Sequence, residues 1–245
     1  MKKIIVLAML FGMLGTYPYL AAQAKTTGVE EMNMYADVTG NAVKDHIILR
    51  GSPLKKSDST YKKMSLKILY GKKTFQVPIG EGKAPRLLVE DITNDGIKDV
   101  IMTMKSLDQP ESYEGNVFSF KKGKWIQVEL PEPVMTEAYF KNQYAAEIVA
   151  GKQLFKIDLN RKKEEYERLG IYRKGLLNEP MELLVGGISM LKPVYGTYGT
   201  GFMATQKVSG ISEGDPVGEL NALWVLKNGK WKLQRLDFSD GMNRG

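Results

Sequence analysis

Residues 91–99 read Asp-Ile-Thr-Asn-Asp-Gly-Ile-Lys-Asp, and this stretch decides the fold. Gly96 stands sixth, where a loop that turns back needs a residue free to take a positive φ. Glycine at six, oxygen ligands on alternate residues and a backbone carbonyl from Ile97 at seven are typical of a calcium loop. The side-chain oxygens stand at positions one, three, five and nine, in Asp91, Thr93, Asp95 and Asp99. The sequence therefore predicts a Ca²⁺ site in this loop.

The segments that flank the loop are predicted to be strands. Apolar runs occupy residues 86–90 before it and residues 100–104 after it. An EF-hand needs flanking helices and a bidentate Glu at position twelve, whereas position twelve here is Met102. The sequence therefore excludes an EF-hand and predicts a strand, then the loop, then a second strand. A second interpretation stays open, in which the carboxylates only cap backbone amides, as in ordinary Asx-turns.

The same spacing of oxygen-bearing residues occurs in an earlier loop, which begins at Asp37, 54 residues before Asp91. It has Ala42 where the later loop has Gly96, so Gly40 is expected to absorb the turn instead. The asparagine at its fifth position also removes one negative charge. We therefore expect this loop to bind Ca²⁺ more weakly, or to keep the shape without the ion. Its candidate ligands are Asp37, Thr39, Asn41 and Asp45.

A β-hairpin is predicted after each acidic loop. Apolar and polar residues alternate on both sides of a glycine turn in residues 64–77 and in residues 116–130. The same pattern returns in residues 223–236, where Gly-Lys-Trp repeats 106 residues after its earlier copy. A fourth hairpin, in residues 145–159, has no acidic loop before it.

These internal repeats indicate an all-β fold built from strand–acidic loop–hairpin units. Such units bury little alone and stack on their neighbours, so a propeller-like arrangement or an open stack or sandwich of sheets is expected. A third unit is predicted near Tyr195, without the aspartates that would bind Ca²⁺. One short surface helix is expected within residues 161–175, ending near Gly170.

Domain organisation follows from the N-terminus and from one proline-rich break. Two lysines, an apolar run at residues 4–15 and Ala-Gln-Ala at 22–24 predict a signal peptide over residues 1–24. An uncleaved anchor is the alternative, although the run is short for a membrane span. Residues 25–245 then form a single β-repeat domain. Pro-Glu-Pro at 131–133 would divide it into halves, 25–130 and 134–245.

Composition narrows the classes of function. The absence of cysteine excludes thiol catalysis and thiolate metal sites, and a single histidine, His46, argues against zinc. Cleavage after residue 24 removes two lysines and no acids, so the formal charge falls from +7 to +5. Such a charge is compatible with an anionic wall polymer, whereas no basic cluster with stacking aromatics predicts nucleic acid binding. No transmembrane segment is expected after signal cleavage, and the oligomeric state stays open.

Catalytic motifs are weak in this sequence. Ser212 lies in a Gly-x-Ser-x-Gly pattern, but no helix pattern follows it and His46 precedes it in the chain, so a loop is the better interpretation. His46 beside Asp45 lacks nameable partners for base catalysis. The glycine-rich residues 195–201 lack the Gly-Lys-Ser/Thr ending of a phosphate loop. Tyr195 and Tyr198 could instead stack on a sugar ring.

The paired Asp-x-Thr-x-(Asn/Asp) loops, each followed by a strand, resemble the FG-GAP or VCBS-type repeats of integrin-α-like β-propellers. More closely, the chain is similar to small secreted proteins of Gram-positive bacteria that carry such repeats. The similarity is strongest over residues 35–130. It implies calcium-stabilised β structure and an extracellular or wall-associated place, without an assigned reaction. Asn41, Ala42 and the missing third loop depart from the pattern and put a full set of ion sites in question.

The sequence thus predicts a secreted binding or interaction module. Its expected partner is an anionic cell-wall polymer, a glycan or another extracellular protein. The alternative is an extracellular hydrolase of wall polymer or polysaccharide that works through paired carboxylates, for example Glu111 with Glu114. No catalytic residue is assigned, and the balance of motifs is against an enzyme.

Overall fold

The computed structural model describes residues 30–54 and 59–241, so the predicted signal peptide at 1–24 lies outside the described residues. The described chain is almost entirely antiparallel β-structure, with one 3₁₀ turn at Asn160–Lys162 and one helix, α1, at Lys163–Arg168. The strands are β1 (Glu30–Ala36), β2 (Asp45–Pro53), β3 (Thr60–Tyr70), β4 (Lys73–Glu90), β5 (Asp99–Lys105), β6 (Tyr113–Lys121), β7 (Lys124–Glu129), β8 (Thr136–Lys141), β9 (Ala145–Ala150), β10 (Gln153–Asp158), β11 (Tyr172–Arg173), β12 (Leu176–Leu177), β13 (Leu184–Gly196), β14 (Gly199–Ser209), β15 (Pro216–Lys227) and β16 (Lys230–Asp240).

The first seven strands form one sheet in which each strand pairs with the next in sequence. Side chains alternate between faces along a strand, so Met64, Leu66 and Ile68 of β3 are buried on one face. They belong to a core shared with β2, β5 and β6. In β5 every residue but the last is buried, because its second face is covered by a different sheet.

The repeat predicted from the two acidic loops is visible in the order of the strands. β1, the first loop, β2 and the β3–β4 hairpin form one unit, and the end of β4, the second loop, β5 and the β6–β7 hairpin form the next. β4 serves both units, and a register irregularity lies between Lys83 and Arg86, where Ala84 has φ 49°. The predicted hairpins of residues 64–77, 116–130, 145–159 and 223–236 are all confirmed.

Strands β13 to β16 form a four-stranded sheet that packs on both parts of the chain. Residues an even number apart on β14 share a face, so Phe202 and Val208 point to the same side. Phe202 packs in a core with Ile101 and Val117 of the seven-stranded sheet. Val208 packs in another core with Ile148 of the β8–β9–β10 sheet. One apolar face of this sheet therefore packs against both the seven-stranded sheet and the β8–β9–β10 sheet.

The connection between the halves is held by a buried glutamine. Gln206 on β14 is buried, and its Oε1 accepts a hydrogen bond of 2.7 Å from the backbone N–H of Val134. Its Nε2 donates to the backbone oxygens of Val134 and Gly186, at 3.3 and 3.1 Å. The amide thus replaces a missing strand neighbour for the segment that follows Pro-Glu-Pro.

The helix lies where the sequence predicts one, but its role differs from the prediction of a purely surface element. Six residues form it, and Tyr166 at its centre is fully buried. Tyr166 packs edge-on against Phe140, with ring centroids 5.6 Å apart. A single apolar residue among charged ones therefore anchors the helix to the C-terminal core.

Candidate functional site: the loop end

The two acidic loops and two hairpin turns lie together, because Ile97 of the second loop lies against Gly40 of the first and Tyr70, before one turn, packs on Trp125, after the other. His46, just after the first loop, pairs with Leu69, just before the β3–β4 turn. Val100, just after the second loop, pairs with Phe118, near the β6–β7 turn. We call this the loop end, defined by the loops at 37–44 and 91–98 and by the hairpin turns at 71–72 and 122–123.

Asp37 organises the first loop by capping its backbone. Its carboxylate accepts hydrogen bonds from the N–H groups of four successive residues, at 3.2, 2.7, 3.2 and 2.7 Å, namely Thr39, Gly40, Asn41 and Ala42. Desolvation alone would raise the pKa of Asp37, but these four donors outweigh it and hold the pKa below its usual range. The first loop therefore closes on its own carboxylate.

The second loop has the same construction with fewer bonds. Asp91 accepts from the N–H groups of Asp95 and Gly96 at 3.1 and 2.9 Å, and Asp95 accepts from Ile97 at 3.0 Å. Positive φ falls at positions four and six of both loops: 57° and 87° at Asn94 and Gly96, and 73° and 63° at their equivalents. Gly40 thus does not relieve Ala42, as the sequence suggested it would, because both positions turn.

The ninth residue of each loop is a buried carboxylate under the loop. Asp45 accepts from Val38 N–H at 3.0 Å and from the Thr39 hydroxyl at 3.1 Å. Asp99 accepts from Thr93 N–H at 2.8 Å and from its hydroxyl at 3.3 Å. Burial raises the pKa of Asp99 to about 6, in spite of the hydrogen bonds from Thr93 that lower it. This loop therefore contains a carboxylate whose charge is incompletely compensated.

The loops of successive units touch one another. In the first loop, a Cβ at Gly40 would lie 2.8 Å from Cδ1 of Ile97 in the second, so a larger residue there would require Ile97 to move. In the second loop, Asn94 Nδ2 donates to the backbone oxygen of Thr200 at 2.9 Å, and its Oδ1 accepts from Thr200 N–H at 2.6 Å. The first loop, the second loop and the tip of the β13–β14 hairpin, where the sequence predicts a third unit, therefore form a continuous row.

Sequence reasoning missed Asn94, which makes this bridge. Its signal was available, because asparagine is one of the few residues that take a left-handed conformation readily. The partner could not be found in the same way, since Thr200 is 106 residues away. The Asn94 amide makes the same pair of backbone hydrogen bonds with Thr200 that a neighbouring strand would make. It thereby fixes the β13–β14 tip against the second loop.

Replacing Asn94 with alanine is expected to lower the free energy of unfolding by about 1–2 kcal/mol, since two bonds to Thr200 and one to Ile92 are lost. Urea denaturation measures this loss. Asn94→Gly is the matched control, because glycine keeps the positive φ without the amide. Equal stability of Asn94→Ala and the unaltered chain would show that the bridge does not hold the row together.

The tip of the third unit presents two tyrosines to solvent. Tyr195 is 70% exposed and Tyr198 is 55% exposed. A hydrogen bond from Tyr195 to Glu90 raises the pKa of the phenol and ties the ring to the end of β4, just before the second loop. The structure thus brings these tyrosines to the same row as the acidic loops.

The tryptophans and the histidine have structural partners. Trp125 stacks on Phe75 with centroids 5.1 Å apart, and Trp224 packs against the C-terminal core. Trp231 donates from its indole nitrogen to the backbone oxygen of Glu129 at 2.8 Å. His46 stacks on Tyr35 at 4.4 Å and bonds to Asn33 at 2.8 Å.

Ser212 lies in the turn between β14 and β15, with no helix after it. Three residues later, Asp215 is buried and accepts from the Tyr166 hydroxyl at 2.7 Å, from Ile211 N–H at 3.0 Å and from Lys162 Nζ. Burial would raise the pKa of Asp215, but these three donors hold it below its usual range. The turn is therefore held by a buried ion pair that sequence reasoning missed.

Glu111 and Glu114, the two carboxylates considered for hydrolysis, have different surroundings. Glu111 forms an ion pair with Lys207, with Nζ and Oε2 2.7 Å apart. Glu114 lines a cleft of about 590 Å³ together with Glu81, Glu129 and Glu132. Partial burial, followed by the charge of Asp108, raises the pKa of Glu114. The cleft thus holds one carboxyl of the pair named from the sequence, and other residues line the rest of it.

The described ranges contain neither a compact group of metal-binding side chains nor a membrane-spanning helix. Among residues 30–54 and 59–241, no three His, Asp or Glu side chains are grouped closely enough to hold a metal ion by themselves. In the same ranges no helix has the length and apolar character needed to cross a bilayer.

Comparisons with known proteins find similarity to one family. Residues 134–239 match the family described as the YybI C-terminal domain. The chain is 26% identical over 237 residues to "Uncharacterized protein YybI" of Bacillus subtilis (strain 168), covering 91% of this chain and 87% of that protein. No solved structure matches the chain. The family match contains β8 to β15 and nearly all of β16, so it concerns the half that holds Asp215, whereas the similarity to the Bacillus subtilis protein extends over both halves.

Proposed function

We propose that the chain is a secreted, calcium-stabilised binding module whose loop end faces its ligand. The observation that carries this proposal is the row in which Gly40 touches Ile97 and Asn94 holds Thr200. Loops from three units, far apart in sequence, present their residues on one surface. Binding sites are often formed by loops that a rigid β scaffold holds in place.

Calcium is proposed for the second loop first. Carboxylates of Asp91, Asp95 and Asp99, the Thr93 hydroxyl and the Ile97 carbonyl are the hard oxygen ligands that Ca²⁺ prefers. The buried carboxylate of Asp99 supports the proposal, because a nearby cation would offset the desolvation of its charge. The first loop, with Asp37, Thr39, Asn41 and Asp45, offers one charge fewer and is proposed as the weaker site.

The ion's role in this proposal is structural. It would neutralise clustered carboxylates and tie the end of β4 to the start of β5, beside the contact with the third unit. A chain without cysteine gains from such an ion because no disulfide can supply the same constraint. The amide caps on Asp91 leave lone pairs on its oxygens, so capping and ion binding are compatible.

The repeat architecture is proposed to be an open stack of three units. Each unit shares a strand or a core with the next, in the way that repeat proteins bury surfaces against neighbours. A propeller-like arrangement is the related alternative. The similarity of the loops to FG-GAP or VCBS-type repeats agrees with a place outside the cell.

A hydrolase is the second candidate, on the strength of the cleft that contains Glu114. A carboxyl with a raised pKa is what a general acid requires. The candidate ranks second because Glu111, its proposed partner, is held by Lys207 and does not line the cleft.

Thermal unfolding of residues 25–245 with excess Ca²⁺ and with chelator tests the proposed ion. At a hundredfold excess over the dissociation constant, one site is expected to add about 2.7 kcal/mol to the free energy of unfolding. For a chain of this size the Tm should rise by about 5–10 °C. The rise should disappear in the double variant Asp91→Ala, Asp95→Ala and persist in Asp108→Ala, an exposed control. If the protein is folded and its Tm does not change with Ca²⁺, the loops are acidic turns that do not bind the ion.

A further inference from the structure

The two hairpin turns of the loop end are covered with lysines. Lys72 lies in the β3–β4 turn and Lys73 follows it, while Lys122 lies in the β6–β7 turn between Lys121 and Lys124, and every one of the five is exposed. The remaining residues at the turn positions are Gly71 and Gly123, so no carboxylate is placed among them. We call this set the lysine surface, and it consists of Lys72, Lys73, Lys121, Lys122 and Lys124.

The arrangement of these lysines is electrostatically unfavourable within the chain itself. Lys121 lies directly opposite Lys124 in the strand pair, and like charges in that position repel each other. The hairpin of the third unit repeats the arrangement with Lys227 opposite Lys230. Within the described ranges, the ion pairs involve other residues and none includes the lysine surface.

An aromatic cluster beneath the lysine surface holds the two turns side by side. Tyr70, before the first turn, packs on Phe120 and Trp125, which flank the second, with centroids 5.6 and 5.9 Å apart. Phe75, after the first turn, stacks on Trp125 at 5.1 Å. The five ammonium groups are therefore carried on a rigid base, so little backbone order has to be gained when a ligand binds.

We propose that the lysine surface binds a linear polyanion whose repeating unit is a phosphodiester. The inference names a partner for the proposed binding module and rests on that function, but it does not depend on calcium. A phosphate chain offers repeated single charges, and compact lysine ammonium groups suit it because they do not demand the bidentate geometry of arginine. The five unpaired positive charges supply the complementary surface.

The composition of the turns favours a soluble polymer over a lipid bilayer or a nucleic acid. Membrane-surface binding is strengthened by apolar side chains that enter the lipid, and these turns expose only glycine and lysine. Single-stranded nucleic acid is bound by exposed rings on which bases stack. The rings here pack on one another and are only partly exposed.

Titration with deacylated poly(glycerol phosphate) over a range of salt concentrations tests the proposal, with chelator present throughout. Each lysine–phosphate contact should contribute about −0.7 to the slope of log affinity against log salt, so five contacts predict about −3.5. Changing the lysine surface to glutamine should weaken binding at least about tenfold and remove most of that slope. A matched variant loses the same charge from exposed lysines elsewhere and should bind like the unaltered chain: Lys62→Gln, Lys83→Gln, Lys152→Gln, Lys156→Gln and Lys192→Gln.

The outcomes separate this inference from the proposed function. Equal loss in the two variants would overturn it, because overall charge would then explain binding. Stronger lysine-dependent binding to phosphatidylglycerol vesicles or to single-stranded DNA than to the polymer would overturn it in favour of those partners. A Tm no lower than that of the unaltered chain shows that the fold of each variant is intact. Polymer binding without any effect of Ca²⁺ on Tm would support this inference while removing the calcium site, and the reverse result would remove only the inference.

Discussion

Asp215→Ala is expected to lower the free energy of unfolding by about 3–5 kcal/mol, the usual cost of removing one partner of a buried ion pair. The substitution leaves Lys162, whose side chain is 14% exposed, without its carboxylate. It also leaves the buried Tyr166 hydroxyl without an acceptor. The helix and the β14–β15 turn are joined by these bonds, so both should loosen together.

Urea denaturation measures the loss, with an unchanged m-value showing that the unfolded state is not altered. Glu213→Ala, two residues earlier and exposed, is the control and should stay within about 0.5 kcal/mol of the unaltered chain. Because the pKa of Asp215 is lowered on folding, its contribution is present above the unfolded value of 3.8 and is lost as pH falls further. A loss below about 1 kcal/mol for Asp215→Ala would contradict a joining role.

The parts of the fold predicted from sequence are the local ones. Hairpins show themselves through alternation around Gly71, Gly123 and Gly229, because both arms and the turn lie in one short stretch. The repeat of the acidic loops was equally readable, since spacing survives substitution of single residues. The strand order in the seven-stranded sheet is equally local, because each strand pairs with the next strand in sequence.

The long-range contacts could not be predicted. Asp215 lies 53 residues from Lys162 and 49 from Tyr166, and nothing in either segment marks the other as its partner. Charge all round the helix suggested a solvated surface, and the one residue that decides its burial is Tyr166. The lysine surface shows the same limit: its lysines are ordinary turn residues in sequence, and only the packing of Tyr70 on Phe120 brings them together.

Asp99 is expected to give the opposite dependence on pH. Its folded pKa of about 6 lies above the unfolded value of 3.8, so the folded chain binds the proton more tightly. Stability is then greatest where Asp99 is protonated and is lost as pH rises through about 6. A difference of about two pKa units corresponds to about 3 kcal/mol between the protonated and charged forms.

Asp99→Asn tests this because the amide is neutral at every pH and can still accept from Thr93 N–H. In chelator at about pH 7.5, the variant is expected to be more stable than the unaltered chain by up to about 3 kcal/mol. The advantage should shrink towards zero by about pH 4, where Asp99 also carries a proton. Asp108→Asn, at an exposed position, should show no such convergence.

Adding Ca²⁺ should reverse the comparison, because the ion stabilises the charged form that burial alone disfavours. The unaltered chain would then gain stability as pH rises, while Asp99→Asn, which lacks the charge, would gain little from the ion. Reversal requires the ion to lie at Asp99, so it distinguishes binding in this loop from binding elsewhere on the surface. Parallel pH profiles of the two proteins in Ca²⁺ would place any bound ion away from Asp99, and the second loop would be held by its hydrogen bonds alone.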